Sequence, residues 1–201
     1  MIIHHDKAII IEGKDPINLS KLNIEEIKKL ILPNGDKILT LREFFEKYAD
    51  KKSLKGKLLE FSIDLQDLKV GTAIIPILEE FNVIDRTVLC GTTTITLKKV
   101  RKKYDSVNIR LVASNLQEQI CDERLNSSSK IAQLSLYAFN IQFDNFNVEM
   151  KHITEKFNLK LFIWDLHTED VLHKYLSFKP DAVFSNFPDI AVKIRDEMFN
   201  L

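Results

Sequence analysis

The sequence predicts an α/β fold of repeated strand–helix units around a parallel sheet. Two observations carry this. From about Leu58 onward, short apolar runs alternate with amphipathic stretches, the pattern of strands joined by crossover helices. At 201 residues the chain is long enough to bury a sizeable core in one domain. Six such units fit either an open doubly wound sheet or a shortened (β/α)8 barrel, and periodicity alone leaves both open.

The units run in order along the chain. Leu58 to Leu65 is read as the first strand, followed by a helical pattern from Thr72 to Phe81. Arg86 to Cys90 precedes the helix Ile95 to Tyr104, and Asn108 to Ala113 precedes a polar helix around Leu116 to Cys121. Ile131 to Tyr137 is read as the fourth strand, after the polar loop Asn126 to Ser129, with its helix at Val148 to Phe157. Leu159 to Trp164 with Asp170 to Leu176, then Ala182 to Ser185 with Ile190 to Phe199, complete the series.

A different segment comes first. Asn23 is expected to cap a helix reaching Leu32, whose Ile24, Ile27, Leu30 and Ile31 share a face. Pro33-Asn34-Gly35-Asp36 is a turn. Thr40 caps a second helix, Leu41 to Tyr48, with Glu43 closing a capping box.

Composition limits the function classes. The 29 basic and 29 acidic residues cancel, so there is no electrostatic footprint for nucleic acid. The basic run Lys98 to Lys103 has the spacing of a solvated helix face. Cys90 and Cys121 stand in no metal or redox spacing, which suits a reducing compartment. No stretch approaches a membrane span, and the opening residues meet two histidines and an aspartate at once, unlike a signal peptide. A cytoplasmic protein is expected.

Specific segments then resemble a known family. Ile2-Ile3-His4-His5-Asp6, Asn18-Leu19 through Leu30, Gly35 to Glu43, Phe61-Ser62-Ile63-Asp64-Leu65-Gln66, Ile163-Trp164-Asp165 and Asp181 to Asp189 resemble, in order and spacing, segments of the glycerophosphodiester phosphodiesterases. The resemblance implies a (β/α)8 barrel of the TIM type with a small insertion, here lacking the first two strand–helix units. It implies one domain over 1–201, with the His-Asp strand and insertion in 1–57 and six units in 58–201. It also implies metal-dependent hydrolysis of a small-molecule glycerophosphodiester to an alcohol and glycerol 3-phosphate in lipid metabolism. The family's two acid-base histidines, its arginine and three metal-binding carboxylates lie partly in HRG and ExD motifs that this sequence does not contain.

On this resemblance His5 aligns with a catalytic histidine, because imidazole can protonate a leaving alkoxide; its alternative is an ordinary surface residue. Asp64 stands for a metal-binding glutamate and can bind a hard cation such as Ca or Mg through oxygen. Its alternative is one member of a polar strand face with Glu60, Ser62 and Gln66, on which Glu60 is a substitute ligand. Gln66 replaces a phosphate-neutralising lysine and brings a hydrogen bond without charge. Trp164 either walls a substrate pocket or packs in the core. Asp165 and His167 follow it in a loop, Asn186 replaces an aspartate in a turn, and Cys90 is expected to be buried rather than reactive.

With one matched carboxylate and several partners absent, this chain alone is expected to be impaired. An open six-strand sheet also offers edges for self-association. Three readings follow: a hydrolase whose front is missing from the sequence, a degenerate non-catalytic family member that binds or scaffolds, and an unrelated α/β binding module.

Overall fold

The computed structural model describes residues 1–4, 8–10, 15–53, 55–65, 68–105, 108–117, 120 and 127–200. The chain divides into two compact units, Met1–Leu59 with Pro76–Val83, and Glu60–Ile75 with Ile84–Leu201.

In the first unit, β1 (Ala8–Ile9) pairs antiparallel with β2 (Ile17–Asn18). Ile9, Leu19, Ile27 and Ile38 are buried together, with Ile2, Ile17 and Leu30 packed against them. Helix α1 covers only Ile24–Ile27, shorter than the apolar spacing predicts. Its Asn23 cap forms as expected, in a full capping box with Glu26. The helix stops because Ile31 is drawn into an antiparallel bridge with Lys37, and Pro33 turns the residue before it away from helical geometry. Gly35, at φ +85°, completes the intervening turn, a left-handed conformation that costs glycine little.

Helix α2 (Leu41–Tyr48) begins at Thr40, with Glu43 in the reciprocal capping bonds. It buries Leu41 and Phe45, and the Phe45 ring lies 5.7 Å from that of Phe81.

The second unit carries the six-stranded sheet, in the order β3 (Phe61–Leu65), β4 (Thr87–Gly91), β5 (Arg110–Ser114), β6 (Leu136–Gln142), β7 (Lys160–Trp164) and β8 (Ala182–Val183). Every neighbouring pair is parallel. The strands follow chain order and curl, so this is part of a TIM-type barrel, six strands where a complete one has eight. The expected fold class is borne out.

Strand β4 is buried along its whole length, as expected of a strand covered on both faces. The outer strand β3 instead alternates, with Phe61 and Leu65 buried and Ser62 and Asp64 exposed. In chain order the remaining helices are α3 (Leu68–Ala73), α4 (Ile75–Glu80, which from Pro76 on belongs to the first unit), α5 (Thr94–Lys103), α6 (Ser127–Leu134), α7 (Val148–Lys156), α8 (Glu169–Leu176) and α9 (Pro188–Phe199). Thr93, Asn147 and Thr168 cap α5, α7 and α8 through their side chains. The basic run on α5 is largely solvated. Arg101, however, turns back to donate to the carbonyls of Leu134, Ile109 and Ser135, and burial pushes its guanidinium pKa down.

Two sequence-based assignments are corrected. The single helix expected from Thr72 to Phe81 is broken at Ile74, between α3 and α4. Ile131 to Leu134 belongs to helix α6, and the strand starts only at Leu136. Ser127 to Ser129 accordingly open that helix rather than a loop. Of the polar helix expected around Leu116 to Cys121, residues 118, 119 and 121 lie outside the described residues.

Candidate active site

Strand register sorts the second unit's side chains onto two faces. Asp64 stands opposite Cys90, Cys90 opposite Val112, and Val112 opposite Ala138. Val88, Cys90, Val112, Ala138 and Phe162 form one buried cluster, with Ala182 and Phe184 against it. That cluster marks the concave face. Because alternate residues share a face, Ser62 and Asp64, Ser114, Asn140 and Gln142, and Trp164 all belong to it. Asp64, Ser114, Asn140, Gln142 and Trp164 collect toward the carboxyl ends of the strands, where barrels of this type place their chemistry.

At β3, the Ser62 hydroxyl lies 3.4 Å from Cys90 Sγ. Burial pushes the Cys90 thiol up to about 12, with a smaller opposing effect from the Ser62 bond and a further rise from the Asp64 charge. Cys90 is therefore a neutral packing residue, 1% exposed, as expected, and not a nucleophile. Asp64 is exposed beside it.

Glu60 does not join Asp64. It lies toward the opposite end of the strand, with its carboxylate 3.9 Å from Arg110 Nη1. Arg110 stacks over the Tyr137 ring at 5.2 Å, and Tyr137 meets Phe162 edge-on at 6.3 Å. An inward-facing arginine is thus held at the amino ends of the strands, away from the polar mouth. Its place in a strand between Ile109 and Leu111 gave no sign of this role.

A second polar group lies at the carboxyl ends of β6 and β7. Asn140 Nδ2 donates to Ser114 Oγ at 3.3 Å. Gln142 Nε2 donates to Asp165 Oδ2 at 2.9 Å, and Asp165 Oδ1 lies 2.8 Å from His167 Nε2. His167 Nδ1 accepts the Asn186 backbone N–H at 3.3 Å, and the Phe187 ring meets the imidazole edge-on. Asp165 sits at φ +74°, a left-handed conformation that aspartate tolerates better than most residues. With both ring nitrogens engaged, His167 ties two loops together.

Three buried polar atoms find no partner among the described residues: Gln117 Oε1, Asn140 Oδ1 and Trp164 Nε1. The sequence offered no signal for Ser114, Gln117, Asn140 or Gln142, which read as ordinary strand and helix residues.

Of the residues singled out in advance, His5 and Gln66 lie outside the described residues. Asp64 and Trp164 share the concave face and its carboxyl end, but β4, β5 and β6 separate their strands. At about 4.8 Å per strand this is about 19 Å measured along the sheet. A resident divalent ion needs several oxygen donors at once. Among the described residues no group of three or more His, Cys, Asp or Glu side chains could hold one; Glu60 faces Arg110, and Asp165 is taken up by Gln142 and His167. The described residues alone do not fit such an ion.

The profile of the glycerophosphoryl diester phosphodiesterase family matches residues 1–190. The chain belongs to this family. Solved structures agree on the fold. A Galdieria sulphuraria protein assigned as a glycerophosphodiester phosphodiesterase superposes with TM-score 0.79 at 15% identity, covering 97% of this chain and 80% of its own. An Oleispira antarctica phosphodiesterase in complex with the product sn-glycerol-3-phosphate gives 0.77 at 15% identity, with 97% and 79% covered. A glycerophosphodiester phosphodiesterase of Parabacteroides distasonis gives 0.72 at 15% identity, with 98% and 78% covered. No curated protein matches the sequence. Membership in the glycerophosphoryl diester phosphodiesterase family supports a glycerophosphodiester phosphodiesterase-like function for this chain. No helix among the described residues is long and apolar enough to cross a membrane.

Proposed function

We propose that the chain engages glycerophosphodiesters at the carboxyl ends of its strands and hydrolyses them to an alcohol and glycerol 3-phosphate at a strongly reduced rate, as part of lipid metabolism in the cytoplasm. The observation that carries this is Asp64: it stands where the family resemblance expects a metal-binding glutamate, and its carboxylate is exposed on the concave face. His5 is assigned the acid-base role, Asp64 a contact to Ca or Mg, and Gln66 and Trp164 the substrate. Residues 1–201 are taken to work as a single domain. The outer strands β3 and β8 are the natural places for self-association.

The test is release of glycerol 3-phosphate from glycerophosphocholine by the purified chain, with Mg or Ca and with a chelator. Slow release that needs the metal, and falls at least about tenfold in both Asp64→Ala and His5→Ala, is expected. Release equal in the variants and the parent would remove both residues from the reaction. No release at all would favour a non-catalytic binding protein, a second reading supported by the separation of Asp64 from the other described carboxylates of the mouth.

A further inference from the structure

We propose that Ser114, Asn140 and Trp164 form a neutral subsite for the hydroxyl groups of an uncharged polyol. The proposal builds on the placement of a ligand at the carboxyl ends of the strands, but not on hydrolysis.

The subsite follows from three atoms and their surroundings. Asn140 is 7% exposed and its Oδ1 has no partner among the described residues, although its Nδ2 donates to Ser114 Oγ. The Trp164 Nε1–H is likewise buried and unpartnered. Phe162 is the register partner of Asn140, and Trp164 that of Gln142. Asn140 and Trp164 are therefore diagonal neighbours on one face of adjacent strands, close enough for one small molecule to meet both. Leaving such groups dry and unpaired is costly, so the pair is suited to an occupant.

The chemistry of the atoms selects that occupant. One is a donor and the other an acceptor. A phosphate or carboxylate oxygen would satisfy the indole N–H but face the lone pairs of Asn140 Oδ1. An ammonium would do the reverse. A hydroxyl both donates and accepts, so it serves the Asn140 Oδ1 acceptor and the indole N–H donor alike. Charge agrees. The described polar residues at this end of the concave face are Asp64, Ser114, Asn140, Gln142 and Trp164, with Asp165, His167 and Asn186 beside them. None is a lysine or arginine, both nitrogens of His167 are engaged by Asp165 and the Asn186 N–H, and Arg110 is held at the other end by Glu60 and Tyr137.

Trp164 is the only tryptophan in the chain, so its indole N–H gives one amide-correlation signal that reports this site. Glycerol, 1-propanol and inorganic phosphate are titrated separately into the full chain, into Asn140→Leu and into Ser114→Ala. Glycerol is expected to move the indole signal saturably. The apparent affinity should fall at least about tenfold in Asn140→Leu, and less in Ser114→Ala, which leaves both orphaned atoms in place. 1-Propanol and phosphate should leave the signal unsaturated. A saturable shift with phosphate but not glycerol would overturn the proposal. So would no saturable shift with any probe, the result if ordered water alone fills the space. Should Asn140→Leu fail to fold, the contrast among the three probes on the unmodified chain decides. Loss of glycerophosphocholine turnover in Asp64→Ala with the glycerol response intact would separate this subsite from the hydrolytic reading.

Discussion

Asp165 and His167 form a closed pair: Asp165 Oδ1 lies 2.8 Å from His167 Nε2, and His167 Nδ1 accepts the Asn186 N–H. In a dyad built for general-base catalysis one ring nitrogen faces the carboxylate and the other faces substrate. Here the second nitrogen faces backbone, so the imidazole positions a loop.

That arrangement requires the tautomer with hydrogen on Nε2. Long-range proton–nitrogen correlation spectra of the neutral protein should place the proton on Nε2, and a proton on Nδ1 would contradict the bond from Asn186. Replacing His167 by Leu removes both contacts and should destabilise the second unit by about 1–2 kcal/mol in urea unfolding. Asp165→Asn presents an amide donor to one of two donors, Gln142 Nε2 or His167 Nε2, and should cost a similar amount.

Cys90 offers a direct check on the concave face. Its thiol is pushed from an ordinary 9.0 up to about 12, chiefly by burial. Near pH 8 the thiolate fraction is then lower by about a thousandfold. Peptide-resolved mass spectrometry after iodoacetamide treatment should find Cys90 unmodified in the native protein and readily modified in urea. Fast native labelling would mean that the floor beneath Asp64 is open to solvent.

The first unit carries a pH signature in Glu43. The Thr40 backbone N–H, then the Lys28 ammonium and the Thr40 hydroxyl, hold its carboxyl at about 2 against an ordinary 4.5. The Glu43 bond raises the Lys28 ammonium in turn. For a depressed carboxylate, the stabilisation is complete above the unfolded value and is lost as pH falls toward the folded one. Melting temperatures of the parent and Glu43→Gln should differ by a constant amount between pH 5 and 7 and converge from about pH 4.5 to 2. A difference that persists unchanged at pH 2 would show that the carboxylate charge contributes nothing.

Local sequence determined much of this protein. The Thr40–Glu43 and Asn23 caps, the turn at Gly35 and the alternation of strands with amphipathic helices all follow from side chains acting within a few residues of themselves. The order and spacing of short segments such as Phe61 to Gln66 and Ile163 to Asp165 were enough to indicate the family. The one strand placed wrongly, Ile131 to Tyr137, shows where local reasoning runs out. A short apolar run suits a buried strand or a buried helix face equally, and only packing decided that Ile131 and Leu134 belong to the helix while Leu136 opens the strand.

Tertiary structure decided the site. Asp64 was legible as a family position, but its neighbour Cys90, 26 residues away in sequence, was set by strand register. The same register separated Asp64 from Trp164 by three strands and turned Arg110 to the opposite end from the mouth. It also brought Ser114, Asn140 and Trp164 onto one face from three different strands. Hydrogen-bond complementarity across strands depends on which residues end up opposite one another, and no single segment contains that information.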